Sequence, residues 1–342
     1  MMRKTAFIYL PILATMLTGC MVEVIDTSPK KEDIGLTAGP VPISLTTAVE
    51  VQQEGNDDGS KAGTRTTSTE LQSTQFAEGE QIYVYFPTNV TVGTTTSASS
   101  TTYTTTDANG ATAPATQPYM NSNIQAADIH AYYPSSHRQN ATTFSVQTDQ
   151  TGEANYKASD LMYATTSVTK TAAATVTGAL TFSHRMAKII VTATADTGKG
   201  VSAVTKVRII GGYRTATIAT PLSCTMKTDD GFSNQLSNAA DGGITLYDNA
   251  TGEASVSCAG LIPPQTIAEG TAFLEVTVKT AGDLTGTATY SIPAGGKTLA
   301  TGNAYTCTLS INLSSIGTTT DITDWGNGGS TSLNNNGTPT LQ

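Results

Sequence analysis

Charge is scarce in this 342-residue chain. Only 13% of residues are Asp, Glu, Lys or Arg, and the balance is acidic, with a formal net charge of −9. That argues against nucleic acid, which requires a basic face; the acidic excess mainly aids solubility. Leu, Lys and Glu do not recur at a 3.6-residue period, so amphipathic helices are not expected. No apolar run of membrane-spanning length follows Cys20. No CxxC pair or Cys/His spacing suggests zinc. No glycine-rich loop follows a strand and opens a helix, which argues against nucleotide binding. No cofactor is implied.

Histidine is equally sparse, at His130, His137 and His184. His130 and His184 sit in strand patterns, where a satisfied structural role is expected. Ser183 beside His184 does not make a triad, which is defined by geometry. Ser159-Asp160 reads as a turn or cap. Asn56-Asp57-Asp58-Gly59 lacks EF-hand spacing and reads as a solvated turn. No enzyme is expected.

The N-terminus is informative. Arg3 and Lys4 precede an apolar run from Thr5 to Leu17, and then Leu17-Thr-Gly-Cys20. A basic start, an apolar stretch and small residues before a cut make a secretory signal over residues 1–19. Leu-Thr-Gly-Cys resembles the bacterial lipobox, whose cysteine is acylated and becomes the new N-terminus. Palmitate-type chains on Cys20 would tether the mature chain to a membrane, since several acyl chains anchor stably where one does not. Cys224, Cys258 and Cys307 remain. Three buried thiols, or one disulfide and one thiol, fit the count; no obligatory disulfide is expected.

The body reads as β. Thr, Val and Gly are abundant, which suits half-buried strands and turns. Val41, Ile43, Leu45, Val49 and Val51 share one parity and form a first strand. Gln52 to Gly63 is a polar loop, the kind of place where proteases cut, with Arg65 at its end and only Lys61 as another basic residue nearby. Ile82, Val84 and Phe86 face one side of the next strand, and Tyr83 and Tyr85 the other. Residues 88–118 are Thr/Ser-rich and give edges and loops. Further strands are expected at Ile129–Tyr133, Phe144–Val146, Leu161–Ala164, Ala179–Ala195 with a bulge near His184, Val204–Ile210, Val276–Val278, Tyr290–Ile292 and Tyr305–Leu313. Short strands with regular turns suggest β-sandwiches. The length favours two domains, with the boundary in the Thr/Ala-rich stretch 165–178.

Several stations in order resemble the fimbrillin family, the type V pilins and related surface lipoproteins of Bacteroidales. They are the lipobox at Cys20, the early strand, and Arg65 before a Thr-rich start. Phe76-Ala-Glu-Gly-Glu-Gln-Ile-Tyr-Val-Tyr85 follows, with Glu80 where the family usually has Asp. Then come Ala131-Tyr-Tyr-Pro134, Asp149-Gln150, Ser159-Asp-Leu-Met-Tyr-Ala164, Phe182-Ser-His-Arg-Met-Ala-Lys188, Leu261-Ile-Pro-Pro-Gln265, Gly302-Asn-Ala-Tyr305 and Ile322-Thr-Asp-Trp325.

The resemblance implies an all-β fold of two tandem transthyretin-like β-sandwich domains after the signal peptide and tether. The expected segments are a lipidated tether with a removable first strand (20–65), an N-terminal domain (66–175) and a C-terminal domain (176–342). It also implies a mechanism. An arginine-specific protease cuts after Arg65, making Thr66 the new N-terminus. The strand bearing Val41, Ile43, Leu45, Val49 and Val51 leaves, and another pilin subunit fills the groove with a strand of its own. The implied location is the outer membrane, through the lipid on Cys20, and the fimbrium. The alternative is a permanently anchored surface lipoprotein that binds a host glycan or protein without polymerising. Tyr83, Tyr85, Tyr132, Tyr133 and Trp325 could line a glycan platform, though core packing is the commoner use of such residues. The tail after Trp325 is polar and a poor donor strand, so a tip or accessory role is expected at least as much as a stalk role.

Overall fold

Short strands and glycine turns make up nearly all of the regular structure. The computed structural model describes residues 39–50, 53–54, 76–227, 231–239, 241–248, 252–317 and 319–322. These lie in one compact unit, Leu36–Gln342. Among the described residues, no helix is long and apolar enough to cross a membrane.

The first sheet has nine strands. Their hydrogen-bonded order is Val90–Val92, Pro118–Met120, Val41–Val49, Val176–His184, Met162–Thr169, Ala126–Tyr133, Gln81–Phe86, Ser99–Thr105 and Thr112–Pro114. The last strand returns to the third: Thr46 bridges Ala111, and Thr112 Oγ1 donates to the Leu45 carbonyl at 2.6 Å. The sheet thus folds over one core built from Ile43, Leu45, Ile82, Phe86, Ile129 and Phe182.

Strand Val176–His184 belongs to this sheet, beyond the boundary at residue 175 drawn from sequence. Its Val176, Leu180 and Phe182 are buried in the first core. The Thr/Ala-rich stretch is largely strand, because threonine packs well on a pleated surface. In place of a bulge near His184, one strand ends there and Ala187–Ala195 begins in a different sheet.

Residues 88–118 are more regular than expected. Ser99–Thr105 alternates cleanly, with Ser99, Thr101, Tyr103 and Thr105 inward. Hydroxyls there stand where apolar side chains would otherwise signal a strand. They bond to main chain instead: Ser99 Oγ donates to the Val90 carbonyl at 2.8 Å, and Thr105 Oγ1 to that of Glu80 at 3.2 Å. A buried hydroxyl with a partner costs little.

The second core lies between two five-stranded sheets. One runs Tyr247–Asp248, Ser255–Ile262, Ala187–Ala195, Asn303–Ile311, Gln53–Glu54. The other runs Ile244–Thr245, Val201–Ile209, Ala272–Thr280, Thr285–Ser291, Thr319–Asp321. Their inward residues, among them Ile189, Val191, Ile209, Val276 and Leu309, form one cluster, the arrangement of a β-sandwich. A small sheet carries Tyr213–Thr220 paired with Thr143–Ser145, so Phe144 and Val146 reach into this second core.

Cys224, Cys258 and Cys307 are buried. Cys258 and Cys307 both register with Val191, from opposite sides of its strand. Two strand spacings are about 10 Å, too far for a disulfide.

Candidate functional site

The first strand is the candidate site. Val41, Ile43, Leu45 and Val49 point inward and are buried, Leu45 completely, while the alternate residues face out. Thr47 belongs with them, at 7% exposure. Sequence reading missed it because it is polar, although its parity marks it. Val51, Cys20, Arg65 and Thr66 lie outside the described residues, as does Trp325.

One edge of this strand pairs in parallel with Val176–His184, from Ile43 opposite Val176 to Val49 opposite Phe182. The other edge is held mainly by side chains donating to its carbonyls. Gln117 Nε2 reaches Ile43 O at 2.9 Å, Thr112 Oγ1 reaches Leu45 O, and Lys170 Nζ reaches Gly39 O at 2.7 Å. Antiparallel pairing is confined to Val41 and Pro42 with Met120 and Tyr119, plus the Thr46–Ala111 bridge. Gly178 faces Leu45: a Cβ there would meet Leu45 Cδ2 at 3.0 Å and Val168 Cγ1 at 2.7 Å. Pocket and plug are therefore fitted to one another.

The other recognisable residues form a polar frame around and between the cores. Glu80 accepts from the Ala77 amide at 2.9 Å and pairs with Lys157 at 2.6 Å, tying the turn before Gln81–Phe86 to the helix Glu153–Ala158. Gln150 and Gln265 each behave as a backbone unit. The Gln150 amide group exchanges two hydrogen bonds with Leu261, at 2.8 and 2.9 Å, and that of Gln265 two with Tyr213, both at 2.8 Å. His184 Nδ1 meets Asp160 Oδ1 at 2.8 Å. Tyr305 Oη accepts from the Ala300 amide at 2.7 Å. These are tie-points, each with its partner within the chain.

None of the histidines makes a nucleophile. Ser183 Oγ donates to the Tyr163 carbonyl at 3.3 Å and not to His184. His130 Nδ1 meets Tyr163 Oη at 2.7 Å, and burial lowers its pKa against the pull of Asp128. His137 Nε2 lies 3.5 Å from Cys224 Sγ. Burial, helped by the Arg138 charge, lowers the His137 pKa to about 4, and burial raises that of Cys224 to about 12. A neutral imidazole beside a protonated thiol is structural.

The tyrosines do not form a glycan platform. Tyr83, Tyr132 and Tyr133 are buried, and Tyr83, Tyr132 and Tyr163 pack as tilted rings on the second core at centroid distances of 5.6 to 6.0 Å. Tyr83 and Tyr85 do face away from the first core, as their parity requires, but that side is covered by the second.

Residues 64–325 match the family model described as Fimbrillin-like, and the chain belongs to that family. Among solved structures, one shares the fold and others are similar to it more distantly. A proposed cell adhesion protein from Bacteroides uniformis ATCC 8492 is 17% identical, with a TM-score of 0.50, covering 82% of this chain and 95% of its own. One from Bacteroides ovatus ATCC 8483 is 15% identical at a TM-score of 0.48, covering 81% and 94%. A fimbrial protein from the same Bacteroides ovatus strain is 13% identical at a TM-score of 0.40, covering 83% of this chain and 51% of its own. No curated protein matches the chain. The family is one of structural, non-enzymatic proteins, and membership supports a pilus or adhesin subunit role at the cell surface.

Proposed function

We propose that the chain is exported as a lipoprotein on Cys20, is cut after Arg65, and joins other subunits by exchanging its first strand for one of theirs. The observation that carries this reading is how Val41–Val49 is held. It fills the first core, yet its second edge is bound largely through its own carbonyls, by Gln117, Thr112 and Lys170. Such contacts are indifferent to side-chain identity, so any strand in the same register can take them. Removing the strand exposes a backbone ladder and an apolar groove, both costly until refilled. Strand addition restores both. The two cores correspond in this reading to the two transthyretin-like domains expected over 66–175 and 176–342, with Val176–His184 closing the first and leading into the second. A tip or accessory place in the fibre fits this reading at least as well as a stalk place.

The test is the N-terminus and intact mass of protein sheared from cells, with and without an arginine-specific protease. A lipid-free start at Thr66 supports the proposal. An acylated start at Cys20 under both conditions overturns it and leaves an anchored lipoprotein that keeps its own first strand, with a host glycan or protein as its remaining kind of partner.

A further inference from the structure

Lys170 stands where the first strand begins. Its side chain is buried, with the residue at 3% exposure, and its ammonium donates to two carbonyls: Gly39 O at 2.7 Å and Ser122 O at 2.9 Å. Its own amide is held by the Gln125 carbonyl at 2.7 Å, which fixes the stem. Among the described residues, Lys170 forms no ion pair. A buried ammonium without a carboxylate is an unusual arrangement, because desolvation of the charge is offset only in part by neutral acceptors. It carries three donors and the two carbonyls use two of them.

The residue it meets, two positions before the first strand, is glycine. Gly39 is half-buried, its φ is not in the left-handed region, and a Cβ built on it meets nothing within 4 Å. A carboxylate-bearing side chain therefore fits at this position, next to the carbonyl that Lys170 already holds. Among the described residues, the chain's own first segment brings no charge to that place.

We infer that Lys170 is the selectivity residue of the groove, and that the strand it favours carries aspartate or glutamate where this chain carries Gly39. This deepens the strand-exchange reading and rests on it: the favoured occupant is a strand from another subunit, running parallel to Val176–His184, with an acid at its start. The chain's own strand is the weaker occupant, which gives exchange its direction. A charge-assisted pair in a half-buried site is stronger than the neutral contact it would add to.

Two measurements test this. In the uncut full chain, hydrogen exchange of amides 43–49 is compared for Gly39→Asp and Gly39→Ala, each with Lys170 intact and with Lys170→Gln. Alanine removes the glycine entropy effect from the comparison. The expected result is exchange about fivefold slower for Gly39→Asp than for Gly39→Ala, with the gap lost in Lys170→Gln. Equal exchange of the two in the Lys170 background overturns the inference, whatever becomes of strand exchange. In the second measurement, labelled peptides of residues 39–50 with Gly, Ala or Asp first are offered to the chain cut after Arg65. Preferential uptake of the Asp peptide supports both readings. Uptake of all three alike overturns selectivity and keeps strand exchange. Uptake of none, with the uncut-chain coupling present, overturns strand exchange while Lys170 keeps its preference for an acid.

Discussion

The Thr47 amide donates to the Gly110 carbonyl over 2.8 Å, and Gly110 holds a φ of +85° to present it. A Cβ at 110 would lie 1.9 Å from the Thr47 carbonyl oxygen. The loop around Gly110 and the first strand are thus in direct backbone contact, which only glycine permits.

Gly110→Ala is therefore expected to unseat the first strand. Left-handed strain alone costs about 1 kcal/mol, and the steric clash should add about 2 kcal/mol or more. Gly93→Ala is the control: it shares a positive φ, +59°, but nothing lies within 4 Å of its Cβ. Chemical denaturation should show a small loss at 93 and a large one at 110. Equal losses would mean that the contact with Thr47 does not matter.

Leu45 is fully buried against Gly178. Leu45→Ala should cost about 3 kcal/mol through the cavity it leaves. Gly178→Ala should also destabilise, because its Cβ would press on Val168 and Leu45. Together, the double variant should lose less than the sum of the two, since truncating Leu45 makes room at 178. Additive losses by calorimetry would show that the two side chains do not share one space.

Much of this groove was legible in the sequence. The alternation of Val41, Ile43, Leu45 and Val49 gave both the strand and its buried face, because period-2 patterning reports a half-buried strand directly. Thr47 and the Ser99–Thr105 strand escaped, since their buried groups are hydroxyls whose partners are distant backbone carbonyls. Lys170 was invisible for the same reason: a lysine in a Thr/Ala-rich stretch reads as surface until Gly39 and Ser122 are seen to meet it. The link strand Val176–His184 was placed in the wrong core because nothing local distinguishes a strand that joins its own domain from one that closes the previous one.

His137 gives a pH signature. Its pKa falls from the usual 6.5 to about 4, through burial first and the Arg138 charge second. The unfolded chain binds that proton below pH 6.5, whereas the folded chain resists it until about pH 4. Stability from this group is therefore complete above pH 6.5 and is lost as the pH falls through that window, by at most about 3 kcal/mol. His137→Gln should flatten the loss between pH 6.5 and 4, leaving a smaller slope of the same sign from His130. An unchanged profile would place the titration elsewhere.

The thiols give a direct check on the second core. Cys224, Cys258 and Cys307 are buried. None should react with a thiol reagent in the native chain, and all three should titrate on unfolding without a reductant. Two thiols fewer would reveal a disulfide and contradict the separation of Cys258 and Cys307 across Val191.

The central claim is that the first strand must leave its groove for subunits to join. Thr46 registers with Ala179 on the parallel neighbour, and both are exposed on the outer face. Thr46→Cys with Ala179→Cys places two cysteines one strand spacing apart, about 5 Å between Cα atoms, within disulfide reach. The measurement is oligomer laddering on unheated gels after cleavage at Arg65, with the stapled chain oxidised and then reduced. The account predicts no ladder when oxidised and a restored ladder on reduction. A full ladder from the oxidised chain would show that subunits join with the first strand still in place, and would contradict it.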